Sequence, residues 1–225
     1  AGMVMYDPLY LAEARRLCDQ YRVHLIADEI AVGFGRTGTL FACEQAAIRA
    51  DFLCLSKGIT GGYLPLSCVL TTDDIYAAFY DDDVSRGFLH SHSYTGNALA
   101  CRAALTVLDI FEDEQVIAAN LATAALFSRH LAEIAAHPAV RHFRQCGMIW
   151  AFDVDCQRAD FGPAFFSLML QQGCLVRPIG KTVYFMPPYI IEESHMRQLV
   201  DATLMALTQL LAGDRPSARP ETALP

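Results

Sequence analysis

The chain has 225 residues and a formal net charge of −8, with 53% hydrophobic and 19% charged residues. An acidic balance of this kind disfavours a nucleic-acid groove or an anionic membrane surface as partner. No apolar run approaches the roughly 18 residues that a bilayer crossing needs, and the length suits one or two globular domains with ample core.

The opening, Ala1-Gly2-Met3-Val4-Met5-Tyr6, has no initiator Met and no charged leader region. No signal peptide is expected, and the segment reads as the interior of a longer chain. Asp7 is placed to cap a helix with Pro8 at its first position. Tyr10, Ala14, Leu17 and Tyr21 then recur at helical spacing. The apolar run 24–27 ends in Asp28 and Glu29; a second run, 51–55, ends in Ser56 and Lys57. Short apolar runs bounded by glycine-bearing loops read as buried parallel strands. Ligands of open α/β sheets sit beyond the carboxyl ends of such strands. That places Asp28 and Lys57 at one edge of one sheet.

Between the two runs lies Gly33-Phe34-Gly35-Arg36-Thr37-Gly38. It lacks the G-x-G-x-x-G spacing and the Lys-Ser/Thr pair of phosphate loops. It reads as a turn that lets backbone pass close to the site, with Arg36 in a structural ion pair. A short helix is expected over 40–47, a strand over 66–70, and a helix over 75–80 capped by Asp73 or Asp74. Asp81-Asp82-Asp83 reads as a solvated charge run. Asn97 caps a long helix to residue 111, and a second helix spans 116–136 before His137-Pro138.

From residue 112 the character becomes α+β. Strands are expected over 140–146 and 148–155 around Gly147, and a helix over 161–172 stopped by Gly173. A hairpin of 175–178 with 182–186 turns at Gly180-Lys181, and a last helix covers 195–211. Residues 213–225 read as a frayed tail. The domain expectation is therefore 1–111, then 112–212. Eight cysteines, none in a C-x-x-C pair, fit small buried hydrophobes in a reducing cytoplasm.

The chain uses 15 Arg but only two Lys, Lys57 and Lys181. Arg stays protonated, whereas a desolvated Lys can lose its proton and attack a carbonyl. The plainer role for Lys57 is a surface cation paired with a carboxylate. Asp28, at the end of a buried strand, needs a partner. That partner is either Lys57 or the protonated ring nitrogen of a cofactor, and a lysine with such an acid is the pair that pyridoxal phosphate requires. Arg177 follows an apolar run and precedes Pro178; on the residues alone it reads as an ion-pairing residue of the second domain.

The series Asp28-Glu29, then Gly33 to Gly38, then Ser56-Lys57-Gly58, together with the Tyr94-Thr95-Gly96-Asn97 and Arg177-Pro178 stretches, resembles the class III (fold type I) pyridoxal-phosphate-dependent aminotransferases. Within that class the likeness is greatest to the biotin-biosynthetic branch, and it runs to about residue 211. The resemblance implies an α/β fold: part of the large cofactor-binding domain, mostly parallel sheet with helices, then a small α+β domain. It implies that roughly half the protein lies on the N-terminal side. Lys57 would be catalytic, and Asp28, Ile30, Lys57 and Ser93 would contact the cofactor. Ser93 would do so across a homodimer, with Thr95 as the alternative hydroxyl. Arg177, Tyr184 and Ser91 would contact substrate. The substrates implied are S-adenosylmethionine as amino donor and 8-amino-7-oxononanoate as acceptor, with no metal.

Three other readings stay open on the sequence. One is an ω-amino-acid or ornithine-type aminotransferase of the same class. Another is a non-catalytic fragment lacking half of its site. The third is a metal-dependent hydrolase using Asp28, Glu29, His90 and His92, for which no further ligand stands out.

Overall fold

The computed structural model describes residues 2–91 and 93–212. The chain divides into two compact units: Tyr6–Leu121, and the segment from Ala122 onward together with the first five residues.

The first unit opens with α1 (Pro8–Tyr21). Asp7 is extended, and its side chain accepts the Leu9 N–H at 2.8 Å, while Pro8 brings no N–H to satisfy. The helix stops where Arg22 turns left-handed at φ 53°. Asp51 ties α1 to the sheet: its Oδ2 accepts both Arg15 Nη1 and the Leu25 N–H at 2.7 Å. The Arg15 bond first, then the Leu25 amide, hold this carboxyl below its ordinary range.

β1 (Ile26–Asp28) runs parallel to β2 (Phe52–Leu55), with Asp28 opposite Cys54. β3 (Cys68–Thr71) pairs antiparallel to β2, Cys68 opposite Leu55. The link between them holds only the 3-10 turn Lys57–Thr60, too little for the crossover helix that a parallel return needs. The two runs expected to be parallel strands do pair parallel, and β3 joins them antiparallel; the expected burial is corrected, since Ile26 is 64% exposed. Among the described residues β1 is an edge strand, bonded to β2 alone.

A 3-10 turn, Ala42–Ala46, replaces the short helix expected over 40–47. α2 (Asp73–Ala77) is shorter than expected and is capped by the Thr72 hydroxyl. Asp73 and Asp74 lie instead in its first turn, where negative charge meets the positive helix end. α3 (Ala98–Asp113) starts at Asn97, whose side-chain oxygen accepts the N–H groups of Leu99 and Ala100.

The expected helix 116–136 is two helices, α4 (Val116–His130) and α5 (Ala132–Ala136), jointed at the fully buried Leu131. β4 (Val140–Cys146) and β5 (Ile149–Val154) pair antiparallel through Gly147, whose φ of 54° suits the tight turn. α6 (Phe161–Gln171) follows. β6 (Thr182–Phe185) takes the other edge of β5, Phe185 opposite Trp150. The expected hairpin partner 175–178 is not a strand; a single bridge joins Ile179 to Thr182. Pro178 has no N–H to give a ladder. α7 (Glu193–Leu211) closes the described chain. Phe161, Phe165 and Met169 recur every fourth residue on α6 and are wholly buried. They join Phe127, Trp150 and Phe152 in one continuous core.

Candidate active site

The site candidates of the first unit lie at the carboxyl ends of β1 and β2. Asp28 is the last residue of β1, and Lys57 stands two positions beyond the end of β2. Hydrogen-bonded strands lie about 4.8 Å apart, so the two side chains start from neighbouring rows. Both residues are exposed, against the expectation that Asp28 ends a buried strand. Its Oδ1 accepts the Ile30 N–H at 3.0 Å. Among the described residues no ion pair joins Asp28 to Lys57, and neither side chain has another charged partner. The simple surface ion pair is therefore not formed.

Lys57 adopts φ 49°, left-handed backbone that costs a non-glycine residue roughly 1–2 kcal/mol. Strain of this sort persists only where the surroundings fix it. Here Ser56 Oγ donates to the Leu66 carbonyl at 2.7 Å, and the buried Thr60 hydroxyl donates to the Leu64 carbonyl at 2.5 Å. Gly58 is required by contact: a Cβ there would stand 2.9 Å from the Phe34 Cβ. The glycine-rich loop thus packs under the lysine turn, with Phe34 only 4% exposed.

Glu29 takes the opposite side of the strand from Asp28, as alternation demands, and is 2% exposed. Its carboxylate accepts the N–H groups of Ala42 at 2.6 Å and Cys43 at 2.8 Å, closing the open end of the Ala42–Ala46 turn. Burial, and then this carboxylate, push the Cys43 thiol up to about 12, so it is no nucleophile at neutral pH. Sequence reasoning missed this role of Glu29. The signal was present: an inward-facing acid in a strand must find donors. The same engagement removes Glu29 from the hydrolase reading. Among the described residues no three His, Cys, Asp or Glu side chains gather to hold a metal, and His92 lies outside them.

Ser91 and Ser93 are both exposed in the loop before Asn97, and neither hydroxyl bonds Asp28 or Lys57. Ile30 is half-buried beside Asp28. In the second unit, Arg177 is exposed and has no hydrogen-bond or ion-pair partner among the described residues, so the ion-pair reading fails there too. It lines a groove of about 510 Å³ together with Tyr184 and His195. Leu175, Met186 and Leu199 give that groove apolar walls. A lone guanidinium over an apolar groove suits a carboxylate on an aliphatic chain.

Residues 1–207 match the family described as Aminotransferase class-III, and the chain belongs to that family. Its relatives sharpen the class. The chain is 46% identical, over 94% of its length, to the adenosylmethionine-8-amino-7-oxononanoate aminotransferase of Helicobacter pylori, and covers 50% of that protein. It superposes on the crystal structure of the enzyme of that name from Methanocaldococcus jannaschii with a TM-score of 0.85. There the identity is 35%, over 92% of this chain and 51% of the other. An (S)-enantioselective omega-transaminase from Thermomicrobium roseum gives a TM-score of 0.81 at 30% identity, over 88% and 46% of the two chains. The chain spans about half the length of the curated relatives it matches. No helix among the described residues is long and apolar enough to cross a membrane.

Class III aminotransferases are pyridoxal-phosphate enzymes. The residues at this sheet edge fit that group. Lys57 offers an accessible amine without a partner, and Asp28 keeps one carboxylate oxygen unbonded on the adjacent strand.

Proposed function

We propose that this chain provides the lysine-bearing part of a pyridoxal-phosphate-dependent transaminase site in biotin biosynthesis. The amino donor is S-adenosylmethionine and the acceptor is 8-amino-7-oxononanoate. The protein acts as a cytoplasmic homodimer, with 1–111 in the large domain and 112–212 in the small one. The observation that carries the reading is the unpaired Lys57 and Asp28 at the ends of two hydrogen-bonded parallel strands.

Lys57 would hold the cofactor through its aldehyde carbon, Asp28 through its ring nitrogen, with Ile30 alongside and Ser93 serving the phosphate of the partner subunit's site. When bound, pyridoxal phosphate supplies a sink for the electrons left when a substrate carbon loses its proton. Lys57 Nζ would be placed to take the proton from the donor's α-carbon. Asp28 would face the ring nitrogen from the neighbouring strand end. Arg177 binds the acceptor's carboxylate with two parallel bonds, with Tyr184 beside it in the groove; Ser91 is a further substrate contact.

The test is borohydride reduction of the whole protein after loading with pyridoxal phosphate, followed by peptide mass spectrometry. A pyridoxyl group on Lys57 is expected; label on Lys181 alone would overturn the reading. The likeness to an omega-transaminase favours an alternative amino donor, and turnover with a simple ω-amine in place of S-adenosylmethionine would select it.

A further inference from the structure

Lys57 and Asp28 must keep a fixed offset to flank one ring, yet nothing joins their side chains directly. A packed frame joins them from beneath. Glu29 follows Asp28 and bonds the amides of Ala42 and Cys43. The preceding residue, Phe41, meets Phe34 edge-on at 5.6 Å between ring centroids, and Phe111 of α3 meets Phe34 at 6.4 Å. Phe34 in turn lies against the α-carbon of Gly58, where an added Cβ would stand 2.9 Å from its Cβ and 3.1 Å from its Cγ and Cδ2. Gly58 is the neighbour of Lys57, whose left-handed backbone aims the side chain. Phe34 is itself left-handed at φ 53°, so the loop accepts strain to place this ring.

We propose that Phe34 is the positioning residue for Lys57, setting the lysine turn relative to Asp28 through its contact with Gly58. This rests on the proposed function, in which Lys57 takes the cofactor. Phe34 touches neither cofactor nor substrate in this scheme; it acts through Gly58.

The chain supplies its own control, because Lys57 and Lys181 are its two lysines. Whole protein is treated briefly with pyridoxal phosphate and borohydride, and the ratio of label on Lys57 to label on Lys181 is read by mass spectrometry. In Phe34→Leu and Gly58→Ala the ratio is expected to fall about fivefold or more. A merely structural role would lower the melting temperature and leave the ratio in the folded protein unmoved. Phe34→Leu keeps an apolar side chain at the site and carries the test where Gly58→Ala fails to fold. Wild-type label on Lys57 with an unchanged ratio in the folded variants would overturn this inference alone. Wild-type protein without label on Lys57 would overturn the proposed function and this inference together.

Discussion

In the unit that follows residue 121, Phe127, Trp150, Phe152, Phe161 and Phe165 have no exposed surface at all. In Tyr6–Leu121 the buried apolar side chains among the described residues are Phe34, Cys43, Leu55 and Ala100, while Tyr10, Ile26, Leu70 and Tyr76 lie open. One unit rests on its own core. The other is held by hydrogen bonds such as those of Asp51 and Glu29, and by the small aromatic frame beneath Lys57. The chain spans about half the length of its curated relatives. The lesson is a division of labour: the residues proposed for cofactor chemistry sit on the unit that does least to stabilise itself.

The contrast breaks most readily at the core. Phe152→Ala should cost about 3–5 kcal/mol, and the single tryptophan, Trp150, reports on that unit alone. Tyr10→Ala, at a side chain 66% exposed, should change stability by no more than about 0.5 kcal/mol. Urea unfolding followed by tryptophan fluorescence and by circular dichroism measures both; equal losses would dissolve the distinction.

Next in size is Glu29→Gln. A buried carboxylate that accepts two amides is replaced by a group with one acceptor and an unwanted donor. The expected cost is about 1–3 kcal/mol. It should appear in the dichroism transition while the Trp150 transition stays in place. Smaller again is the pair Tyr76 and Tyr80, stacked 5.4 Å apart between centroids, 57% and 76% exposed. Replacing both by Ser should lower the binding of an apolar dye and shift stability by about 0.5 kcal/mol or less.

The sequence made most of the element order legible because caps and punctuation are local. Asp7-Pro8, Asn97, Gly147 and Gly173 each announced a boundary through bonds made within a few residues. The strand ends bearing Asp28 and Lys57 were legible for the same reason. Burial was not, because it depends on what covers a strand: the run 24–27 reads as interior but forms an uncovered edge. The first strand of the expected hairpin, 175–178, also did not form. Periodicity cannot tell which neighbour β6 chooses, and it chose β5. The frame of Glu29, Phe41, Phe34 and Gly58 links positions far apart in sequence, so no local pattern displays it.

The smallest effects concern pH, and there the two units share a sign and separate by pH window. His137 is half-buried, its Nδ1 accepting the Ala139 N–H at 3.2 Å, and burial lowers its pKa from the ordinary 6.5. The unfolded ring binds its proton more readily than the folded one. The contribution of His137 is therefore fully present above pH 6.5 and declines as pH falls below that value. Asp51 is also lowered, by Arg15 and then by Leu25, from an ordinary value of 3.8. Its contribution is fully present above pH 3.8 and is lost only as pH falls through the lower, folded value. Acidification from pH 7 to 5 should thus weaken the Trp150 transition through His137 while the Asp51 link remains intact. His137→Asn should flatten that slope, and Asp51→Asn should act only in stronger acid. If Asp51→Asn flattened the slope between pH 7 and 5, the link between α1 and the sheet would depend on a proton other than this one. The hydrogen bonds assigned to hold the first unit would then be the wrong ones.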